Sequence, residues 1–275
     1  MDKIQTPKKP VVLATPEPAT ISNKSLIAPR PVTTVELPSR GYFYDASVTK
    51  NGQIEILPLT ARDMKLVAGI TGKNVDDVVD TLLKRCLVHS ISPDSLLITD
   101  RYFLLIMLRA NSLGAEVEVS AVCPNEKCKK LSVFKLDLVK DYDVLPVKEG
   151  VKEPFEVTLP ISKFKVAYHL ARGTDVQCTE RLVAKLVKDN PAEELGFTAS
   201  VASLIDTVND TPVPEDQRLD VVDSLPARDF IMLKKHIDDN TPGMTTNAFK
   251  PCPACATTIE MGSPLSAAEF FYPLS

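Results

Sequence analysis

The chain has 275 residues, of which 44% are apolar and 25% charged, a balance typical of globular proteins that bury a sizeable core. Its formal net charge of −4 argues against a protein that coats nucleic acid through bulk positive charge, and its 10 glycines disfavour a glycine-rich cofactor-binding fold. Residues 1–20 lack the apolar stretch of a signal peptide, and the longest apolar run, residues 102–108, is far shorter than the roughly 20 residues that cross a bilayer. We therefore expect no membrane partner and a reducing cytoplasm.

The first 32 residues are rich in proline, threonine and lysine and have no apolar periodicity. Proline fixes φ and removes a backbone donor, so the segment is expected to be extended rather than helical. Two interpretations stay open: a disordered tail, or an extended arm that becomes ordered on a neighbouring subunit.

A small sheet is predicted after this arm. Residues 33–38 read as a strand, and Asn51-Gly52 is a strong turn signal. The turn predicts a hairpin whose two strands are residues 42–48 and 53–57.

Three helices are predicted next. Thr60 is a good N-cap for a helix over residues 61–68. Residues 75–88 carry one apolar stripe, and His89 is placed to close that helix as a C-terminal cation. Residues 101–112 are apolar nearly all round, which predicts a helix buried on most sides.

The following region begins with a charged, proline-containing linker over residues 141–152. Residues 155–159 and 164–170 alternate and predict a hairpin, with His169 as a surface residue of its second strand. Four helices are then predicted by their apolar spacing, over residues 175–188, 192–206, 215–225 and 227–239.

Two cysteine pairs carry the clearest chemical signal. Cys123 and Cys128 lie in Cys-Pro-Asn-Glu-Lys-Cys, and Cys252 and Cys255 lie in Cys-Pro-Ala-Cys. Strand patterns flank both pairs, which suggests two hairpin knuckles of a zinc ribbon. Four thiolates form the tetrahedral set that Zn2+ prefers in a closed structural site and leave no open position for catalysis.

The alternative for these cysteines is simple packing, because a thiol behaves as a small apolar group. The leading Cys-Pro and the flanking strands favour the metal. Neither pair is followed by the glycine that commonly closes a knuckle, since Lys129 and Ala256 stand there. The negative charge of four thiolates is expected to be offset by nearby lysines, which are Lys127, Lys129, Lys130 and Lys250.

Catalytic signatures are missing from the sequence. It contains no GxGxxG, Walker-type loop, HExxH or GxSxG, and its three histidines are scattered. We therefore expect no enzymatic activity. The C-terminal aromatics Phe270 and Phe271 are instead expected to dock on this protein or on a partner.

The predicted fold class is α+β: a helical body with small antiparallel sheets and a zinc-ribbon-like two-knuckle element. The expected division is into an extended proline-rich arm (residues 1–32), an N-terminal α+β region with the first cysteine knuckle (33–140), a strand hairpin and helical region (141–245), and the second knuckle with an aromatic tail (246–275).

The order of short motifs resembles a known family. The motifs are Leu37-Pro38-Ser39-x-Gly41, Ala61-Arg62-Asp63, Asp100-Arg101-Tyr102-Phe103, Leu108-Arg109-Ala110-x-Ser112-x-Gly114, Leu136-Asp137-Leu138, the two cysteine pairs and a Phe-Phe tail. Together they resemble the T4-type baseplate hub and hub-assembly proteins of contractile-tailed bacteriophages. The resemblance implies a structural or assembly protein of the tail baseplate that binds other baseplate proteins in the host cytoplasm and performs no reaction.

Two other functions remain open at this point. One is a nucleic-acid-associated zinc ribbon, which the lysines at 127, 129, 130 and 135 favour but the acidic total charge and the sparse aromatics near the knuckles do not. The other is an assembly factor that leaves before the particle matures.

Overall fold

The structure is a computed structural model that describes residues 28–45, 48–49, 51–71, 74–89, 91–186 and 195–262. Most of the predicted arm and all of the aromatic tail, including Phe270 and Phe271, lie outside these ranges. Within them the chain mixes helices with small antiparallel sheets, which confirms the predicted α+β class.

Seven α-helices are present in the described residues. They are α1 (Ala61–Ala68), α2 (Val75–Cys86), α3 (Ile98–Leu113), α4 (Gly173–Leu186), α5 (Leu195–Ala202), α6 (Arg218–Asp223) and α7 (Ala227–Asn240). The predicted N-cap of α1 is confirmed: the Thr60 side chain accepts from the backbone N–H of Asp63, whose carboxylate accepts from the backbone N–H of Thr60. This capping box satisfies two donors that the helix itself leaves unpaired.

The strands of the described residues pair antiparallel throughout. They are β1 (Thr33–Glu36), β2 (Gln53–Ile56), β3 (Glu116–Val122), β4 (Leu131–Asp137), β5 (Val144–Leu145), β6 (Phe155–Thr158), β7 (Lys165–Tyr168), β8 (Ile205–Val208), β9 (Thr211–Pro212), β10 (Gly243–Met244), β11 (Ala248–Pro251) and β12 (Thr258–Met261). Four pairs form separate two-stranded sheets, which are β1–β2, β3–β4, β5–β10 and β11–β12, while β6, β7, β8 and β9 form one sheet in that order.

The predicted hairpin between residues 42–48 and 53–57 is wrong in its first strand. The turn at Asn51-Gly52 is present, but β2 pairs with β1, and residues 38–43 form turns. Leu37 donates its N–H to the Gly52 carbonyl over 2.8 Å. Gly52 has a φ of +75°, and a Cβ there would lie 2.4 Å from the Arg40 carbonyl carbon, so this close crossing of two turns requires glycine.

Two predicted helices end earlier than the sequence suggests, and a third begins earlier, at Ile98 rather than at residue 101. The helix expected over residues 192–206 ends at Ala202, because Ile205–Val208 joins β7 as strand β8. The helix expected to close at His89 ends at Cys86, and Leu87 is extended and bridges to Ile56. His89 is therefore no cap; its Nε2 lies 3.5 Å from the Glu55 carboxylate.

The core formed by the described residues consists of two hydrophobic clusters. The first draws on residues 35–142 and 244–261, so it buries both cysteine hairpins against α3, whose predicted burial is confirmed. The second draws on residues 155–237 together with Leu97. The clusters meet where Ile98 donates its N–H to the Ala171 carbonyl over 2.9 Å.

A buried carboxylate lies beside this junction. Asp100 is fully buried in the first turn of α3. Its Oδ1 accepts from the Ser39 N–H over 3.3 Å, and its Oδ2 accepts from the Tyr44 hydroxyl over 2.7 Å. That hydroxyl in turn accepts from the N–H of Leu97 over 2.8 Å. The Asp100 carboxylate and the Tyr44 hydroxyl thus join the turn segment around residues 39–44 to the start of α3, more than 50 residues later.

His169 is not the surface strand residue that the alternation predicts. It follows β7 and is largely enclosed, with Nδ1 2.8 Å from Asp206 Oδ1 on β8 and Nε2 3.3 Å from Asp175 Oδ1 on α4. Burial alone would lower the pKa of His169, but hydrogen bonds and charge from the two aspartates raise it to about 9. The imidazolium therefore ties a strand to the start of a helix.

We expect this tie to make stability depend on alkaline pH. Because the folded pKa exceeds the unfolded value of about 6.5, the contribution is complete below pH 6.5 and is lost as pH rises through about 9. His169→Gln should thus be less stable than the parent by about 2 kcal/mol at pH 6 and nearly equal to it at pH 10. Urea unfolding at several pH values measures this difference. A constant difference in stability between His169→Gln and the parent across this pH range would contradict the expectation.

Candidate metal centre

The two predicted knuckle hairpins are present and lie side by side. Strand β3 pairs with β4 from Glu116↔Asp137 to Val122↔Leu131, and β11 pairs with β12 from Ala248↔Met261 to Pro251↔Thr258. Strand β12 lies next to β3, so both hairpins present their cysteine turns at the same end. The alternation that predicted these strands also sets which side chains enter the core, since Leu136 and Ile259 are buried there.

All four predicted cysteines come together. Their Sγ atoms lie within 4.8 Å of one another. Across the two hairpins, the Sγ atoms of Cys123 and Cys255 are 3.6 Å apart, and those of Cys128 and Cys252 are 3.9 Å apart. Each hairpin thus supplies half of one four-sulfur cluster.

The spacing suits a metal ion better than a disulfide. A tetrahedron with metal–sulfur bonds of about 2.3 Å has sulfurs about 3.8 Å apart, close to both cross-hairpin distances. A disulfide would need an S–S distance of about 2.05 Å, and all six cysteines are free. The donor set therefore fits a metal that prefers four thiolates.

The turns close without glycine. Lys129 and Ala256, the residues that follow each pair, adopt the left-handed conformation, with φ of 46° and 57°. Their N–H groups donate to the Asn125 and Cys252 carbonyls over 3.0 Å and 2.9 Å. The geometry that a knuckle glycine commonly provides is thus kept by residues with a Cβ, at a steric cost of roughly 1 kcal/mol each.

Glycine at these two positions should therefore be tolerated or stabilising. We expect Lys129→Gly and Ala256→Gly each to raise the free energy of unfolding by up to about 1 kcal/mol, because relief of the left-handed strain outweighs the extra freedom of the unfolded chain. Urea unfolding of parent and variants under the same metal conditions measures the change. The matched control, Lys127→Gly, stands outside the left-handed positions and should not stabilise; a loss of more than about 1 kcal/mol in Ala256→Gly would contradict the interpretation.

Asn125 and Thr257 support the cluster, and the sequence did not single them out. The Asn125 side-chain amide donates to the Thr257 hydroxyl over 3.2 Å and approaches the Sγ of Cys255 at 3.8 Å. The Cys255 Sγ is also 3.3 Å from the Thr257 hydroxyl. Their positions in the sequence were the available signal: Asn125 lies inside the first cysteine pair and Thr257 two residues after the second, so the turns hold both next to the sulfurs.

The four thiols differ in their surroundings. Cys123 and Cys252 are buried in the first hydrophobic cluster, Cys128 is partly exposed and Cys255 is exposed. Burial raises the pKa of the Cys123 thiol to about 12, whereas hydrogen bonds from the Thr257 hydroxyl and N–H lower that of Cys255 to about 6. The cluster thus combines an inner pair anchored in the core with an outer edge open to solvent.

The lysines expected to offset the thiolate charge separate into two groups. The Nζ of Lys250 lies 2.8 Å from the Asp141 carboxylate, so this lysine forms an ion pair outside the cysteine turns. Lys127, Lys129 and Lys130 are exposed around the first turn. Cys86 and Cys178, the two cysteines outside the cluster, are buried within α2 and α4.

The fold and the cluster define an α+β protein whose two cysteine hairpins are joined in one four-sulfur centre able to hold a metal ion. The chain matches the family described as T4 bacteriophage base plate protein over residues 32–272 and belongs to that family. This confirms the resemblance seen in the short motifs and gives the chain a structural role in a phage tail baseplate. No curated protein and no solved structure matches it. Among the described helices, none is both long and apolar enough to cross a membrane.

Proposed function

We propose that the chain is a hub or hub-proximal component of a contractile-tail baseplate, that it acts through protein–protein contacts, and that Cys123, Cys128, Cys252 and Cys255 hold a structural Zn2+. The proposed metal site rests on the four sulfurs, which lie within 4.8 Å of one another. They come from two hairpins that both pack in the first hydrophobic cluster. The observation that carries the assembly role is the family match over residues 32–272.

Each part of the centre has a defined task in this proposal. A bound zinc ion supplies four strong bonds between segments more than 120 residues apart. Cys123 and Cys252 anchor the site to the core, and Asn125 and Thr257 orient the outer sulfur. Four thiolates leave no position for water, so the site stiffens the protein and performs no reaction.

The termini are the proposed contacts with other baseplate proteins. Residues 1–32 form an extended arm in this proposal, and Phe270 and Phe271 dock on a neighbour. Near the C-terminal end of the arm, the Arg30 side chain donates to the Pro58 carbonyl over 3.3 Å. This bond holds that end of the arm next to the loop between β2 and α1. Assembly takes place in the host cytoplasm, and the protein remains in the virion tail.

Metal analysis and particle analysis test the two halves separately. Purified protein should contain one zinc per chain by mass spectrometry of the metal. Purified tails should contain the chain in a fixed stoichiometry, and removal of residues 1–27 should lower its incorporation without unfolding it. A folded protein free of zinc would refute the metal site. Mature tails without the chain would show an assembly factor that leaves before maturation.

The alternative is a nucleic-acid-associated zinc ribbon, favoured by the exposed Lys127, Lys129 and Lys130 beside the centre. A gel-shift series discriminates between the two functions, because contacts with phosphates weaken steeply as salt rises. We expect no salt-sensitive binding.

A further inference from the structure

Within the part of the chain that the structure describes, strand β4 is paired along only one of its edges. The Cys123 N–H donates to the Lys130 carbonyl, and the Leu138 N–H donates to the Ala115 carbonyl. With the observed register, these bonds direct the backbone groups of Ser132, Phe134 and Leu136 towards β3. The N–H and C=O groups of the alternate residues, which are Leu131, Val133 and Lys135, therefore point away from it. Among the described strands, β3 is the only partner of β4.

The side chains along this free edge are apolar and unusually exposed. Leu131 is 62% exposed and Val133 is 64% exposed, and Val122, opposite Leu131 on β3, is 56% exposed. These three side chains lie on the outer face, since the alternate positions of β4 enter the core. An open edge with exposed β-branched and apolar side chains is a template for another strand.

The positive charge along the free edge of β4 favours an acidic partner strand. Lys129, Lys130 and Lys135 are exposed along β4 or just before it, whereas the acidic residue at its end, Asp137, is paired with Lys140 over 2.8 Å. The chain as a whole is acidic, so this basic edge is a local feature. A second copy of β4 would bring its own lysines onto the same short sheet, which disfavours self-pairing.

The molecule already contains an example of the favoured pairing. Along its paired edge, β4 binds β3. In β3, acidic and apolar residues alternate in the sequence Glu116-Val117-Glu118-Val119. Glu118 lies opposite Lys135, with 3.8 Å between the carboxylate oxygen and Nζ. The strand therefore accepts a partner that combines apolar side chains with carboxylates.

We propose that the free edge of β4 is the docking site for an extended segment of another protein with alternating apolar and acidic side chains, which adds as a third strand next to β4. This docking site rests on the proposed assembly function, and its partner would be another protein of the baseplate. Backbone hydrogen bonds to Leu131, Val133 and Lys135 provide affinity, and the lysines select for carboxylates.

A designed peptide tests this site directly. The probe is a capped seven-residue peptide of alternating valine and glutamate, titrated into the full chain by fluorescence anisotropy. Its counterpart with lysine in place of glutamate should bind at least about tenfold more weakly.

A variant of the protein tests the backbone contact. Val133→Pro removes an outward N–H that the β3–β4 ladder does not use, and proline is tolerated at such edge positions. This variant should bind the acidic peptide at least about tenfold more weakly, while Val133→Thr, which keeps the donor, should retain binding.

Several outcomes would overturn the proposal. They are absence of binding at millimolar peptide, equal binding of the lysine peptide, and unchanged binding by a folded Val133→Pro variant. A concentration-dependent dimer that Val133→Pro abolishes would assign the edge to a second copy. Slow amide exchange at Leu131, Val133 and Lys135 in the dilute chain would show that a segment of the same chain covers it. Normal incorporation of Val133→Pro into tails would refute the edge as an assembly contact and leave the baseplate role standing.

Discussion

Replacing Cys252 with serine should abolish metal binding and destabilise the protein by at least about 3 kcal/mol. Cys252 is one of the two buried cysteines of the cluster, and its sulfur is 3.9 Å from that of Cys128 on the other hairpin. Without it, three thiols remain around a partly buried site, and the bonds that join the hairpins are lost. Metal content per chain and urea unfolding, measured on the same preparations, check both parts.

The control for this variant is a buried cysteine outside the cluster. Cys178→Ala removes a thiol on α4 in the second hydrophobic cluster and should keep one metal ion per chain. Treating the parent with a strong chelator should reproduce the Cys252→Ser stability loss but should leave Cys252→Ser itself unaffected. Full metal content in Cys252→Ser, or a chelator effect of equal size in both proteins, would contradict the four-thiolate site.

Asp100→Asn should be nearly as damaging as Asp100→Ala, with a loss of about 2–4 kcal/mol, despite its matching shape. One carboxylate oxygen accepts from the Ser39 N–H and the other from the Tyr44 hydroxyl, so both must be acceptors. An amide offers one acceptor and one donor. If its NH2 group faces Ser39, it opposes the Ser39 N–H; if it faces Tyr44, the hydroxyl proton loses its acceptor. Burial raises the pKa of Asp100, and the hydrogen bonds from Ser39 and Tyr44 oppose that rise.

A double-mutant cycle with Tyr44→Phe isolates this effect. Tyr44→Phe removes the hydroxyl that bridges Asp100 and the Leu97 N–H, so it should cost about 1–3 kcal/mol alone. Combined with Asp100→Asn, the losses should be clearly less than additive, because the two groups belong to one network. Urea unfolding of the four proteins measures the coupling. Additive losses, or an Asp100→Asn variant as stable as the parent, would show that the carboxylate is not needed as a double acceptor.

The features that sequence analysis predicted well are those encoded locally. Each cysteine pair sits within one turn, and alternation marks the strands around it, so the two half-sites were visible although they are far apart. The helix over Ala61–Ala68 was equally clear, because Thr60 and Asp63 form its cap within four residues. Such signals depend on short-range geometry, which a sequence displays directly.

The features that were missed depend on contacts between distant segments. The Asn51-Gly52 turn was read correctly, yet β2 takes β1 as its partner because two glycine-dependent turns cross, a contact that no local pattern records. Strand β5 lies in what reads as a linker and becomes a strand only by pairing with β10, about one hundred residues later. His169 looked like a surface residue, since the aspartates that enclose it come from β8 and α4.

The distance along the chain between the two cysteine pairs has a consequence for biosynthesis. Cys128 and Cys252 are 124 residues apart, so a ribosome that adds roughly 5–20 residues per second exposes the first hairpin about 6–25 s before the second is complete. During that interval the first two sulfurs have no partners, and part of the core around α3 lacks its covering strands. Chaperones and host proteases therefore have their greatest opportunity to act on this chain before the second hairpin, residues 248–261, has been synthesised.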